Sequence, residues 1–175
     1  MARLYVCKIC GEPYIGGSEP DDCPFCGAPK AYIRPVEEFF PLWKTEMTEE
    51  EKKSIEETLK LEVNATAYYK DVMKAQEKYS KYERLYKQLA RVEQEHVDLA
   101  CKFLGKEVPE IKGEKSKGSI EMDLQRTKEL EHNAVEVYTG FMKRAQNSKV
   151  KILFIALMHA EQGHEDILEK EIGKE

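Results

Sequence analysis

Two short stretches decide how this chain folds: RVEQEHVDLA at residues 91–100 and MHAEQGHEDI at residues 158–167. Each contains Glu-x-x-His, as Glu93–His96 and Glu161–His164. Residues three apart share one face of a helix, so carboxylate and imidazole point the same way. A matching partner stands 31 residues before the first pair and 30 before the second: Glu62 in LEVNATAYY and Glu131 in LEHNAVEVY. The partners share a wider pattern, Glu-x-x-Ala-x-x-x-Tyr, as Glu62/Ala65/Tyr69 and Glu131/Ala134/Tyr138. The chain repeats a helix pair, and the repeated feature is a set of metal ligands.

All six ligand candidates fall on apolar helical stripes. Thr48 with Glu51 reads as a capping box, predicting a helix from near 49 to around Tyr79 through Ile55, Leu59, Glu62, Ala65 and Tyr69. A second helix is predicted over roughly 82–104, carrying Leu85, Leu89, Glu93, His96 and Ala100, with Gly105 past its end. Residues 105–118 form a polar, glycine-bounded loop. Extended, those fourteen residues reach about 46 Å, more than the ~39 Å of a 26-residue helix. Ser119 is expected to cap a third helix and, after the QNS break, Ser148 a fourth. Short–long–short connections predict two antiparallel pairs joined by one crossover, the ferritin-like topology.

Carboxylates on such stripes are costly to desolvate and repel one another. Two divalent cations cancel four carboxylate charges, leaving two neutral imidazoles as further donors. A Glu from each of two helices plus Glu-x-x-His from each of the others is the di-iron or di-manganese carboxylate arrangement. One Glu-x-x-His on a Glu-rich helix would be chance; two, in phase with the core and with repeated partners, are not. His132 and His159 fall outside the pattern and read as surface or rim histidines.

The N-terminal stretch holds a second metal signal: Cys7-Lys-Ile-Cys10-Gly and Cys23-Pro-Phe-Cys26-Gly. Each glycine permits the tight turn of a metal knuckle. Four thiolates at this spacing fit tetrahedral iron or zinc, and the spacing does not choose between them. So short a segment depends on its metal for much of its folding energy. Arg3, Lys8, Lys30 and Arg34 are balanced by Glu12, Glu19, Asp21 and Asp22, which removes the basic surface of a nucleic-acid-binding zinc ribbon. Cys101 reads as a small buried hydrophobe. The expected organisation is a metal domain at 1–34, a linker at 35–47 and a helical domain at 48–175. Phe39, Phe40, Leu42 and Trp43 in the linker are expected to dock the tail of the small domain.

Composition sets the outer limits. The chain has 175 residues, 35% charged and 41% hydrophobic, suited to amphipathic helices. A net charge of −5 argues against a nucleic-acid partner. There is no apolar run of about 18 residues for a membrane span. Residues 1–12 lack a secretory signal's apolar stretch, so a cytoplasmic location is expected.

Together these features resemble a rubrerythrin. YVCKICG…DDCPFCGAPKAYIRP is similar to that family's rubredoxin-like module, and residues 49–172 resemble its ferritin-like di-iron domain. The module usually comes last; here it comes first, as in the reverse-order members. The resemblance implies one iron at Cys7, Cys10, Cys23 and Cys26 that passes single electrons. It implies two irons bridged by Glu93 and Glu161, with Glu62 and Glu131 as terminal carboxylates and His96 and His164 as nitrogen ligands. Tyr69 and Tyr138 would hydrogen-bond to those carboxylates. The implied activity is reduction of hydrogen peroxide to water with electrons from a donor protein. The implied assembly is a homodimer with the small domain against the partner's bundle. The chain departs from the family at one place: Ala134 stands where a further glutamate is usual. A plain six-ligand site is closer to a ferroxidase centre, so iron oxidation or buffering is the alternative. A third is a zinc-ribbon scaffold without redox activity.

Overall fold

Each helix begins where a side chain can hold its first free amides. In the computed structural model, which describes residues 2–173, Thr48 and Glu51 form the full capping box of α1 (Glu49–Ala75). The Glu51 amide donates to Thr48 Oγ1 at 3.2 Å, and the Thr48 amide donates to Glu51 Oε2 at 2.9 Å. The helix stops at Ala75 rather than near Tyr79. Tyr79 takes the left-handed conformation (φ +67°), turning the chain so that Ser80 caps α2 (Lys81–Leu104). Gly105, at φ +61°, closes α2 as expected. Ser119 caps α3 (Ile120–Arg144). The cap of α4 (Ser148–Ile172) is Asn147, not Ser148: its Oδ1 accepts from the Lys149 amide at 2.8 Å. Asn is as good a cap as Ser, and this one also donates to Thr45 Oγ1 and the Glu46 carbonyl.

The helices pair as α1 with α2 and α3 with α4, joined by the 105–118 crossover. This is the mainly α, ferritin-like four-helix bundle with a small N-terminal rubredoxin-like domain. The crossover is fastened along its course. The Glu114 amide donates to Asn64 Oδ1 at 2.9 Å, and the Ser116 amide to Asp71. Buried Asp123 then accepts from the Lys117 amide, the Ser116 hydroxyl and the Tyr68 hydroxyl at 2.6–2.7 Å.

The N-terminal domain is a three-stranded antiparallel sheet in the order β2 (Pro13–Gly16), β1 (Arg3–Cys7), β3 (Ile33–Pro35). It packs on the bundle of its own chain, in one continuous apolar cluster that includes Ile9, Ile33, Leu99, Phe103, Ala156 and Leu157. The expected homodimer instead sets the small domain against a partner's bundle. The linker's Trp43 explains part of the docking. Its ring lies against Gly11, 6.0 Å from the Phe39 ring, with the Lys102 ammonium 5.1 Å above it. Leu42 joins the same cluster, whereas Phe40 is 77% exposed and anchors nothing. Cys101 is buried, as expected. Among the described residues no helix is long and apolar enough to cross a membrane.

Glu51 ties the bundle's open end, since its Oε1 also accepts from the Gln146 and Asn147 amides at 3.0 and 2.7 Å. Burial raises its pKa, but these amides and Thr48 outweigh it and leave it below the ordinary 4.5. Glu51→Ala is expected to cost about 2–3 kcal/mol in urea unfolding, as loss of hydrogen bonds to a buried charge does. A depressed folded pKa stabilises above the ordinary value, so the difference between the two proteins should shrink as pH falls through the folded pKa.

Candidate metal centres

At the N-terminal centre two matching knuckles face each other. The Gly11 amide closes on the Cys7 carbonyl and the Gly27 amide on the Cys23 carbonyl, both at 2.9 Å. Both glycines are left-handed, at φ +87° and +68°. Cys7 Sγ lies 3.8 Å from Cys26 Sγ, and Cys10 Sγ lies 3.9 Å from Cys23 Sγ. Those gaps are far too wide for disulfides. They match the edge of about 3.8 Å that a tetrahedron of ~2.3 Å metal–sulfur bonds requires. The crowded thiols cannot all ionise without a cation. Hydrogen bonding to Cys10 pulls Cys7 and Cys23 down, while Cys10 is pushed up chiefly by Cys23, and Cys26 by Cys10.

The second centre lies at mid-bundle, where all six expected residues converge. Glu62 comes from α1, Glu93 and His96 from α2, Glu131 from α3, and Glu161 and His164 from α4. They form two sets, Glu62/Glu93/His96/Glu161 and Glu93/Glu131/Glu161/His164, each with donor atoms within 4.8 Å of one another. Glu93 and Glu161 belong to both. Glu93 sets Oε2 2.9 Å from His96 Nδ1 and Oε1 3.2 Å from His164 Nδ1. Glu161 does the same with Oε1 at 3.2 Å and Oε2 at 2.9 Å. This is the posture of carboxylates that bridge two cations. Tyr69 donates to Glu131 Oε1 at 2.6 Å and Tyr138 donates to Glu62 Oε1, so each tyrosine serves the other repeat's glutamate. Burial raises both phenols, keeping them protonated as donors.

His96 shows that the set fits metal. Its Nε2 sits 3.0 Å from the Cys26 carbonyl, which can only accept, so Nε2 carries the hydrogen. A neutral ring would then aim the Nδ1 lone pair at oxygens of Glu62, Glu93 and Glu161, 2.9–3.6 Å away. Only a cation, proton or metal, resolves that. Protons do it incompletely: Glu93 Oε1 and both Glu161 oxygens have no well-directed hydrogen bond among the described residues. Without metal, burial opposes ionised imidazoles, but Glu161 and Glu131 outweigh it and hold His96 and His164 well above their usual range. Burial raises Glu62 strongly and Glu131 to about 8. The imidazoliums keep Glu93 and Glu161 low despite burial.

The two centres touch. Beyond the Cys26–His96 bond, Lys102 Nζ donates to the Cys10 carbonyl at 2.9 Å and His159 Nε2 lies 3.0 Å from Asp22 Oδ1. A Cβ on Gly27 would come within 2.7 Å of the Ala160 Cβ, so Gly27 serves contact as well as turn. His159 is therefore a rim residue joining the domains, and His132 is exposed beside Glu165. The repeat noted in the sequence is also wider than Glu, Ala and Tyr: Leu61/Leu130 and Asn64/Asn133 flank the same cavity in corresponding places. The shared string Leu-Glu-x-Asn-Ala was the available signal.

A four-helix bundle with a buried carboxylate–histidine cluster, fronted by a four-cysteine knuckle, defines a ferritin-like protein carrying a rubredoxin-like iron site and a di-iron site. Comparison with protein families agrees: the family described as Rubrerythrin matches residues 53–172, and Rubrerythrin, rubredoxin-like domain matches residues 5–34. The chain belongs to the rubrerythrin family, with the rubredoxin-like domain first. No curated protein and no solved structure matches it.

Proton bookkeeping gives a measurable consequence. Because protons rest on this cluster when metal is absent, loading divalent cations should displace protons, up to one each from His96, His164, Glu62 and Glu131. Calorimetric titration in buffers of different ionisation enthalpy reads that number directly. Release near zero would contradict the charge pattern.

Proposed function

We propose that this protein reduces hydrogen peroxide to water at the bundle centre, using electrons relayed through the cysteine centre of the same chain. The balance is H2O2 + 2 e⁻ + 2 H⁺ → 2 H2O, with the O–O bond broken and the electrons delivered singly from an outside donor protein. Bound iron supplies the chemistry because each metal changes oxidation state by one electron. Cys7, Cys10, Cys23 and Cys26 would hold the relay iron. Glu62, Glu93, His96, Glu131, Glu161 and His164 would hold the pair, with Glu93 and Glu161 shared.

The observation that carries this reading is the bond between His96 Nε2 and the Cys26 carbonyl. It fixes the imidazole tautomer, leaving Nδ1 for metal, and makes a short bridge from one ligand set to the other. Tyr69 and Tyr138 hold Glu131 and Glu62 in place across the bundle. Burial of the cluster keeps bulk water from the reacting groups. Within one chain the relay is complete, so it requires no partner's bundle. The free thiols suit a reducing, cytoplasmic setting.

One observation favours a second reading, iron oxidation or buffering. Position 134 is an alanine beside the cavity, and the six-residue set resembles a ferroxidase centre. Repeated oxidation of added ferrous iron, far beyond the number of sites, would support it.

Two variants test the main reading. Glu93→Ala should abolish peroxide oxidation of the reduced protein in stopped-flow absorbance while leaving the cysteine-site spectrum intact. Cys10→Ser should cut donor-linked turnover to background. An equimolar mixture should stay inactive, because each chain relays to its own bundle. Recovered turnover would mean that electrons cross between chains.

A further inference from the structure

Among the described residues two cavities border the bundle centre, and they differ in what they reach. A groove of about 330 Å³ between the small domain and α4 is bordered by Cys23, Leu89, Ile167 and His164. It touches an imidazole and none of the four glutamates of the site. A much smaller cavity, about 30 Å³, lies between α1 and α3 and borders Glu62, Glu93, Glu131 and Glu161 together. Of the two, only the second borders the shared glutamates, Glu93 and Glu161.

The cavity's walls are built by the repeat. Leu61, Asn64 and Ala65 on α1 stand opposite Leu130, Asn133 and Ala134 on α3. The side chain one turn beyond each of Glu62 and Glu131 lines this cavity. In both repeats it is a single methyl group. A cavity needs roughly 10–15 Å³ to hold one water, so this one admits about two waters, or one H–O–O–H. A branched alkyl hydroperoxide does not fit.

The rim is also held against widening. Asn64 accepts from the Glu114 amide at 2.9 Å and donates to Glu114 Oε1 at 3.3 Å. Arg126 Nε on α3 donates to Glu114 Oε2 at 3.0 Å. That arginine is the main reason the Glu114 carboxyl is pulled down to about 2. A Cβ on Gly113 would lie 2.6 Å from Asn64 Oδ1, so the crossover is seated tightly against the wall. Glu114 thus straps α1 to α3 beside the opening.

We propose that Ala65 and Ala134 are specificity-determining residues, which with the Asn64–Glu114–Arg126 strap admit hydrogen peroxide to the site and exclude alkyl hydroperoxides. This rests on the peroxide-reducing reading and names its substrate class. The full-length protein, loaded with iron and reduced without oxygen, is mixed with hydrogen peroxide or tert-butyl hydroperoxide and its oxidation followed by stopped flow. The alkyl peroxide should react about a hundredfold more slowly, the scale on which a pocket discriminates by size. Leu130→Ala, which enlarges the opening, should bring the two rates together. Ala134→Leu, which fills it, should slow both hydrogen peroxide and the binding of nitric oxide, a diatomic probe read by visible absorbance. Equal rates for the two peroxides in the unaltered protein would overturn the proposal. So would an unchanged nitric oxide rate in an Ala134→Leu protein whose circular dichroism is normal. If hydrogen peroxide fails to oxidise the protein at all, the peroxidase reading falls, and the nitric oxide rates still decide whether the opening controls access.

Discussion

Four glutamates and two histidines share the middle of a bundle whose interior offers them almost no water. Unpaired charges there would cost far more than a domain's whole stability, and the surrounding structure answers that constraint. Glu62 and Glu131 are each held by a tyrosine from the opposite repeat, Glu93 and Glu161 each face both imidazoles, and net charge can be cancelled by protons or by divalent metal. The protonated arrangement leaves three carboxylate oxygens without directed partners. Metal removes that shortfall.

The small domain answers a different need. Its own core is too slight to stand without metal, and it gains apolar cover by lying on α2 and α4. That contact brings the Cys26 carbonyl onto His96, so the surface that stabilises the domain also joins the two centres. The small cavity bordering the four glutamates lies on the opposite seam, between α1 and α3. The contact between the two centres and the cavity beside the glutamates thus lie on different sides of the bundle.

Much of this was legible in the chain. The two Glu-x-x-His pairs, their partners and the paired knuckles gave fold class and ligand set, because metal chemistry demands particular residues at particular spacings. What escaped was decided by three-dimensional contact. Gly27 reads as a turn glycine, and nothing in its spacing says that it rests on Ala160. Phe40 has the composition of an anchor, but it is exposed and the docking surface takes Leu42 and Trp43, with Phe39 beside the Trp43 ring. Asn147 and Ser148 are both good caps, and the choice fell to the one that could also reach Thr45 and Glu46. Leu61 and Asn64 matched Leu130 and Asn133 in plain view, yet ordinary helical residues become a wall only when two helices face each other.

The knuckle recognises its seat through a backbone carbonyl and a bare Cα, Cys26 meeting His96 and Gly27 meeting Ala160. Neither feature depends on which end of the polypeptide carries the module. A tether long enough to reach would serve either order of the two parts and leave the contact between the centres the same.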